Sequence, residues 1–174
     1  MRAIIQRVTS ASVTVDNAVI SQISRGLMVL VGIGTDDTAS DASVLINKIL
    51  NLRVFNDLVE PEKMWKASVK DIDGEILCVS QFTLLANTTK GNKPDFHRAM
   101  SAESSQVMYA AFLDQLRQAY QTEKIKDGRF GAMMNVSLTN EGPVTFTLDS
   151  RKFDYIEPSG TEAGTKRKPK TSGS

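Results

Sequence analysis

In EILCVSQFTLL, residues 75–85, four successive apolar side chains, Ile76 to Val79, give way to three polar ones within four positions, Ser80, Gln81 and Thr83. An apolar run without alternation fits a strand buried on both faces. If the strand continues, Ser80 and Phe82 share a face with Cys78 while Gln81 and Thr83 share the other, so polar groups reach both sides of a strand end. Two readings are open. Ser and Thr hydroxyls can satisfy neighbouring backbone and Gln can cap a sheet edge, or main-chain N–H groups freed from the ladder can face an oxyanion.

A second unbroken run, residues 27–33, predicts another central strand. Before it, residues 3–8 and 11–15 alternate well enough for one long or bent strand, with residues 18–23 as a hairpin partner across an Asp16-Asn17 turn. From Thr35-Asp-Asp, which offers polar caps, Ala42, Leu45, Ile46 and Ile49 make one helical face. Ser101 caps a second helix with Glu103 in its first turn and Tyr109, Phe112, Leu113, Leu116 and Tyr120 as its buried stripe. Arg53-Val-Phe predicts a short strand, and residues 133–138 and 144–148 predict two strands joined by a turn at residues 139–143. The sum is a single α+β domain with two main helices.

Composition narrows the function classes. A chain of 174 residues with 41% hydrophobic and 24% charged residues fits one globular domain. Its single cysteine, Cys78, lies in an apolar run, which excludes a disulfide framework and suits a reducing compartment. No leader or membrane-spanning segment is expected, so the reading is cytoplasmic. One Cys, one His and no carboxylate cluster leave no expected metal site or cofactor. Residues 1–157 are taken as the domain and 158–174 as a flexible basic tail. Four cations, Lys166, Arg167, Lys168 and Lys170, against Glu162 alone give the tail +3, so residues 1–157 carry −2 of the net +1. Such a body argues against a broad phosphate-binding surface; a nucleic acid would be held locally. The run at 166–170 admits a further nucleic-acid contact or a nuclear pool.

Conventional hydrolase patterns are weak here. Ser80, Asp95 and His97 could in principle form a triad, yet no Gly-x-Ser-x-Gly surrounds Ser80, and Asp95 and His97 are expected on opposite sides of their segment. Gly32-Ile-Gly34 lacks the rest of a phosphate loop. The string Asn140-Glu-Gly-Pro-Val-Thr145 reads on its own as a hairpin turn, although Gly-Pro permits close main-chain approach to a ligand.

Taken together, Ser80-Gln-Phe-Thr83 and Asn140-Glu-Gly-Pro-Val-Thr145 resemble the paired signature of D-aminoacyl-tRNA deacylases. Residues 5–9, 11–15, 91–96 and 128–131 match as well, in order, over about residues 1–150. The resemblance implies a barrel-like core, a homodimer, and hydrolysis of the ester joining a D-amino acid, or glycine, to the terminal adenosine of tRNA. It assigns backbone N–H groups around Gln81 and Phe82 to the oxyanion, Ser80 to the adenosine, and Phe130 and Met134 to the adenine pocket. Gly142 and Pro143 become a chirality filter that enters the neighbouring subunit's pocket, with Arg7 supporting their loop. Lys90, Lys93 and Arg98 form a basic rim for the acceptor end. Thr83 has no adjacent base to activate it, so help from the tRNA 2′-hydroxyl is expected in its place. A related subtype with a trans Gly-Pro edits L-alanine, and Arg7 points to the D-specific type. The rival reading is a module that binds a nucleic-acid end through its basic tail.

Overall fold

The computed structural model describes residues 1–151, so the expected tail and the domain end at residue 157 lie outside the described residues. Strands β3 (Gly26–Gly32) and β4 (Glu75–Ser80) run parallel, and their unbroken apolar runs follow from burial on both faces. Leu27, Val29, Val31, Ile76 and Cys78 face one core; Met28, Leu77 and Val79 face another. Helices α1 (Ala39–Asn51) and α2 (Ala102–Ala119) cover the first core with Leu45, Ile49, Phe112 and Leu116. The second is filled by Val8, Ala11, Val13 and Val15 of β1 (Arg2–Val15) and Ile23 of β2 (Ala18–Ile23).

Each helix is a crossover. α1 links β3 to β4, and α2 links β4 to β5 (Ile125–Asp127), which also runs parallel to β4. β1 bends the sheet on itself: its first half pairs antiparallel with β3, its second half with β2, and its other edge with β6 (Asn135–Asp149). The order β2-β1-β3-β4-β5, with β6 on β1, is a nearly closed barrel in one α+β domain. Asp16 and Asn17 both take positive φ, 50° and 63°, as a two-residue hairpin turn requires.

Five expectations need correction. Helix α1 starts later than Thr35: Thr38 is its N-cap, and the Asp41 carboxylate accepts from both the Thr38 N–H and hydroxyl at 2.9 Å. Arg53-Val-Phe is not a strand but ends in an isolated bridge, Phe55 to Ala67. The 75–85 strand stops at Ser80. The two strands expected over 133–148 are one strand, β6, because both parts pair with β1 and the chain never reverses. Helix α2 has the expected N-cap, Ser101, and buried stripe Tyr109, Phe112, Leu113 and Leu116, but Tyr120 falls past its end as a half-buried C-cap. No described helix is long and apolar enough to cross a membrane.

Candidate active site

β4 ends in a change of backbone, not of side chain alone. The Gln81 N–H donates to Val31 O at 2.7 Å, and then the chain winds into a 3-10 turn, Phe82–Leu85. Gly32 makes room for it: a Cβ there would lie 2.7 Å from Leu85 Cδ2 and 2.8 Å from Leu84 Cβ. Strand alternation therefore fails after Ser80. The first N–H groups of a helical turn have no partner within it, and among the described residues those of Phe82 and Thr83 have none elsewhere. This corrects the expected donors, since Gln81 is engaged in the sheet and the free pair is Phe82 and Thr83. The Gln81 side chain turns back, its Nε2 donating to Thr83 Oγ1.

Phe82, but not the next residue, Thr83, lines a pocket of about 670 Å³ at the carboxyl ends of β3 and β4. That is where parallel strands with helical crossovers leave a crevice. Ser80, Gln81, Phe82, Phe130 and Met134, all expected at the site, line it together with Met100, Ser105, Met133 and Val136. The lining is mainly apolar with few polar groups, the usual character of a small-ligand site. Phe130 leans on Tyr109 at 5.9 Å between ring centroids, and the Met134 sulfur receives the Arg129 N–H at 3.3 Å. Phe82 is 57% exposed and Met133 92% exposed, so apolar surface stands open at the rim. Met100 and Ser105 escaped the sequence reading; two parallel crossovers, had they been read, would have placed the start of α2 at this crevice.

Gly142 and Pro143 are exposed and do not line this pocket. They belong to a bulge of β6. Gln6 pairs with Thr145 and Val8 with Asn140, so residues 141–144 are looped out opposite Arg7. The Gly142–Pro143 peptide is cis. Gly142 has φ 127°, and a Cβ on it would meet Val144 Cγ2 at 2.7 Å and Arg7 Nη2 at 3.2 Å, so only glycine fits. Arg7 Nε donates to Glu141 O at 3.1 Å and its Nη1 to Val54 O at 2.7 Å, tying the bulge to the barrel. Asn140 braces the base, accepting from Val144 N–H and donating to Thr145 Oγ1, both at 2.9 Å.

The remaining expected residues stand apart from the pocket. Lys90 and Lys93 are exposed on a loop closed by the bridge between Asn87 and Asp95, and Arg98 is exposed where its carbonyl accepts from Thr35 N–H at 3.0 Å. That segment touches the site through Phe96, whose ring meets Phe82 edge-on at 5.0 Å. His97 and Asp95 do not diverge; residues two apart in extended chain share a side, and the carboxylate contacts both the His97 ring and its N–H. Asp95 raises the His97 pKa. At 92% exposure His97 lines a different groove from Ser80, so no triad forms. Burial in the core holds the Cys78 thiol far above its ordinary pKa, unsuited to attack. Tyr109 donates to Asp127 Oδ1 at 2.7 Å just before the Phe130 loop.

Main-chain donors on a strand-end turn, an apolar crevice and a braced glycine-proline bulge together mark the class of this barrel-like α+β domain. The model of the D-Tyr-tRNA(Tyr) deacylase family matches residues 4–149, and the chain belongs to that family. It is 57% identical over 150 residues to a D-aminoacyl-tRNA deacylase of Candida glabrata, covering 86% of this chain and 99% of the relative. It is 55% identical to human D-aminoacyl-tRNA deacylase 1 over 86% of this chain and 70% of the human one. Among solved structures, one described as c-Myc DNA Unwinding Element Binding Protein superposes with TM-score 0.82 at 54% identity, covering 86% and 98% of the two chains. A probable eukaryotic D-amino acid tRNA deacylase shares the fold, with TM-score 0.70 at 21% identity over 85% and 98% of the chains.

Proposed function

We infer that the protein hydrolyses the ester joining a D-amino acid, or glycine, to the 3′-terminal adenosine of tRNA. The observation that carries this reading is the unpartnered N–H pair of the consecutive residues Phe82 and Thr83, the first of which lines the pocket that gathers Ser80, Phe130 and Met134. In this reading Phe130 and Met134 hold the adenine, Ser80 contacts the adenosine, and the two N–H groups stabilise the oxyanion that forms as water attacks the carbonyl. Donors already fixed by the strand-end turn need no reorganisation during reaction. Thr83 is not the nucleophile: its hydroxyl accepts from Gln81, and no carboxylate or imidazole among the described residues bonds to it. Water is activated with the help of the substrate's own 2′-hydroxyl.

Stereochemical choice comes from the Gly142–Pro143 main chain, a fixed wall that admits one arrangement about the α-carbon and collides with its mirror image. The wall serves the partner subunit's pocket in a homodimer. Exposure of Gly142 and Pro143, their absence from the lining of their own chain's pocket, and the open apolar rim support this. The acceptor end is held locally by Lys90, Lys93 and Arg98 and is met in the cytoplasm.

The test is deacylation of D-Tyr-tRNA against L-Tyr-tRNA by the full chain and by a chain ending at residue 157. Turnover of the D form that survives truncation supports the enzyme. The name of the 54%-identical structure favours a second reading, a nucleic-acid-binding module; binding lost with the tail, without turnover, would support that reading instead. Thr83→Ala should keep substantial activity, and a fall below about a thousandth of wild-type kcat/KM, roughly 4 kcal/mol of transition-state stabilisation, refutes the role given to it.

A further inference from the structure

The bulge that carries Gly142 and Pro143 is gripped from a second side. Arg25, in the turn between β2 and β3, meets the Glu141 carboxylate with both prongs, Nε to Oε2 at 3.3 Å and Nη2 to Oε1 at 3.2 Å. Arg7 reaches the same carboxylate at 3.5 Å while donating to the Glu141 carbonyl. Both guanidinium groups lie over one ring: the Cζ atoms of Arg25 and Arg7 are 5.4 Å and 6.0 Å from the centroid of Phe55. Phe55 is fully buried, and its backbone exchanges hydrogen bonds with Ala67, so the ring is a fixed platform.

A pair whose arginine is 48% exposed adds little to global stability. What it fixes is direction. Two-pronged pairing sets the plane of the Glu141 carboxylate, and with Arg7 holding the carbonyl of that residue, its side chain and main chain are both pinned one position before Gly142. Lysine could not replace Arg25, because a single ammonium neither pairs at both oxygens nor stacks in the same way.

We propose that Arg25 is a positioning residue for the Gly142–Pro143 wall, clamping Glu141 jointly with Arg7 and so setting the stereoselectivity of the pocket which that wall serves. The proposal rests on the deacylase reading. It is tested by kcat/KM for D-Tyr-tRNA and L-Tyr-tRNA with wild type, Arg25→Ala, Arg25→Lys and Glu141→Gln, alongside Tm and amide hydrogen exchange over residues 139–145. Arg25→Ala should lower the D-to-L ratio about tenfold or more and speed exchange at Gly142 and Val144, with Tm nearly unchanged; Arg25→Lys should recover only part of the ratio. An unchanged ratio, or unchanged exchange, overturns the proposal. A wild-type protein inactive on both substrates would sink the deacylase reading, and exchange alone would then judge the clamp, faster exchange in Arg25→Ala supporting it and equal exchange overturning it.

Discussion

At Asp127 burial and hydrogen bonding pull in opposite directions. Burial raises its pKa, and the hydrogen bond from Tyr109 only partly offsets that. With the folded-state pKa above the unfolded value, stability is fully present at acid pH and is lost as pH rises through the folded value. Asp127→Asn keeps an acceptor for Tyr109 without the buried charge, so its Tm at pH 7 should equal or exceed wild type, the difference vanishing near pH 3. Asp127→Ala leaves the buried Tyr109 hydroxyl without its partner and should cost about 1–3 kcal/mol in chemical denaturation. Glycine at 142 belongs to the same scale. A methyl group there strikes Val144, and the positive φ disfavours any L side chain.

Helix α1 shows how an element's end can govern pH behaviour. The Asp41 carboxylate accepts from Ser150 Oγ as well as from Thr38, and these bonds hold its pKa well below the usual carboxylate range. A depressed pKa contributes stability above about pH 4, the unfolded value, and that contribution is lost as pH falls toward the folded one. Asp41→Asn should therefore lower stability by about 1 kcal/mol at pH 7, with the gap from wild type narrowing below pH 4 in urea titrations. Most elements were legible: α2 from its 3.6-residue stripe, and β3 and β4 from short apolar runs whose length and flanking turn residues suit a strand better than a helix. β6 was not, since Gly-Pro flanked by alternating residues looks the same whether the chain reverses or merely bulges. Only its partner decides, and β1 supplies pairs on both sides of the bulge. The strand-end turn at Phe82 was hidden for a similar reason: the cause lies on another strand, at Gly32. Five pocket residues were nevertheless recoverable from the two short strings and their matches, whereas Arg25 and Glu141 were not, because their meeting depends on a separation of 116 positions.

For the whole molecule the decisive prediction is complementation. If the wall of one protomer serves the pocket of its partner, Gly142→Ala and Phe130→Ala chains, each impaired alone, should restore activity when co-refolded. Random pairing makes half the dimers mixed, and each mixed dimer has one intact site, so about a quarter of wild-type turnover is expected. No recovery would mean that pocket and wall act within one chain; sedimentation of the wild type at twice the chain mass is the companion requirement. The ladder between β1 and β6 has a different consequence, one for biogenesis. Arg2 pairs with Asp149, so the longest seam of the barrel joins segments far apart in the order of translation. Closing so long a loop is entropically slow, and on the ribosome β1 must wait with one edge bare until residues 135–149 have emerged. A chaperone that shields exposed strand edges would find its client in that interval.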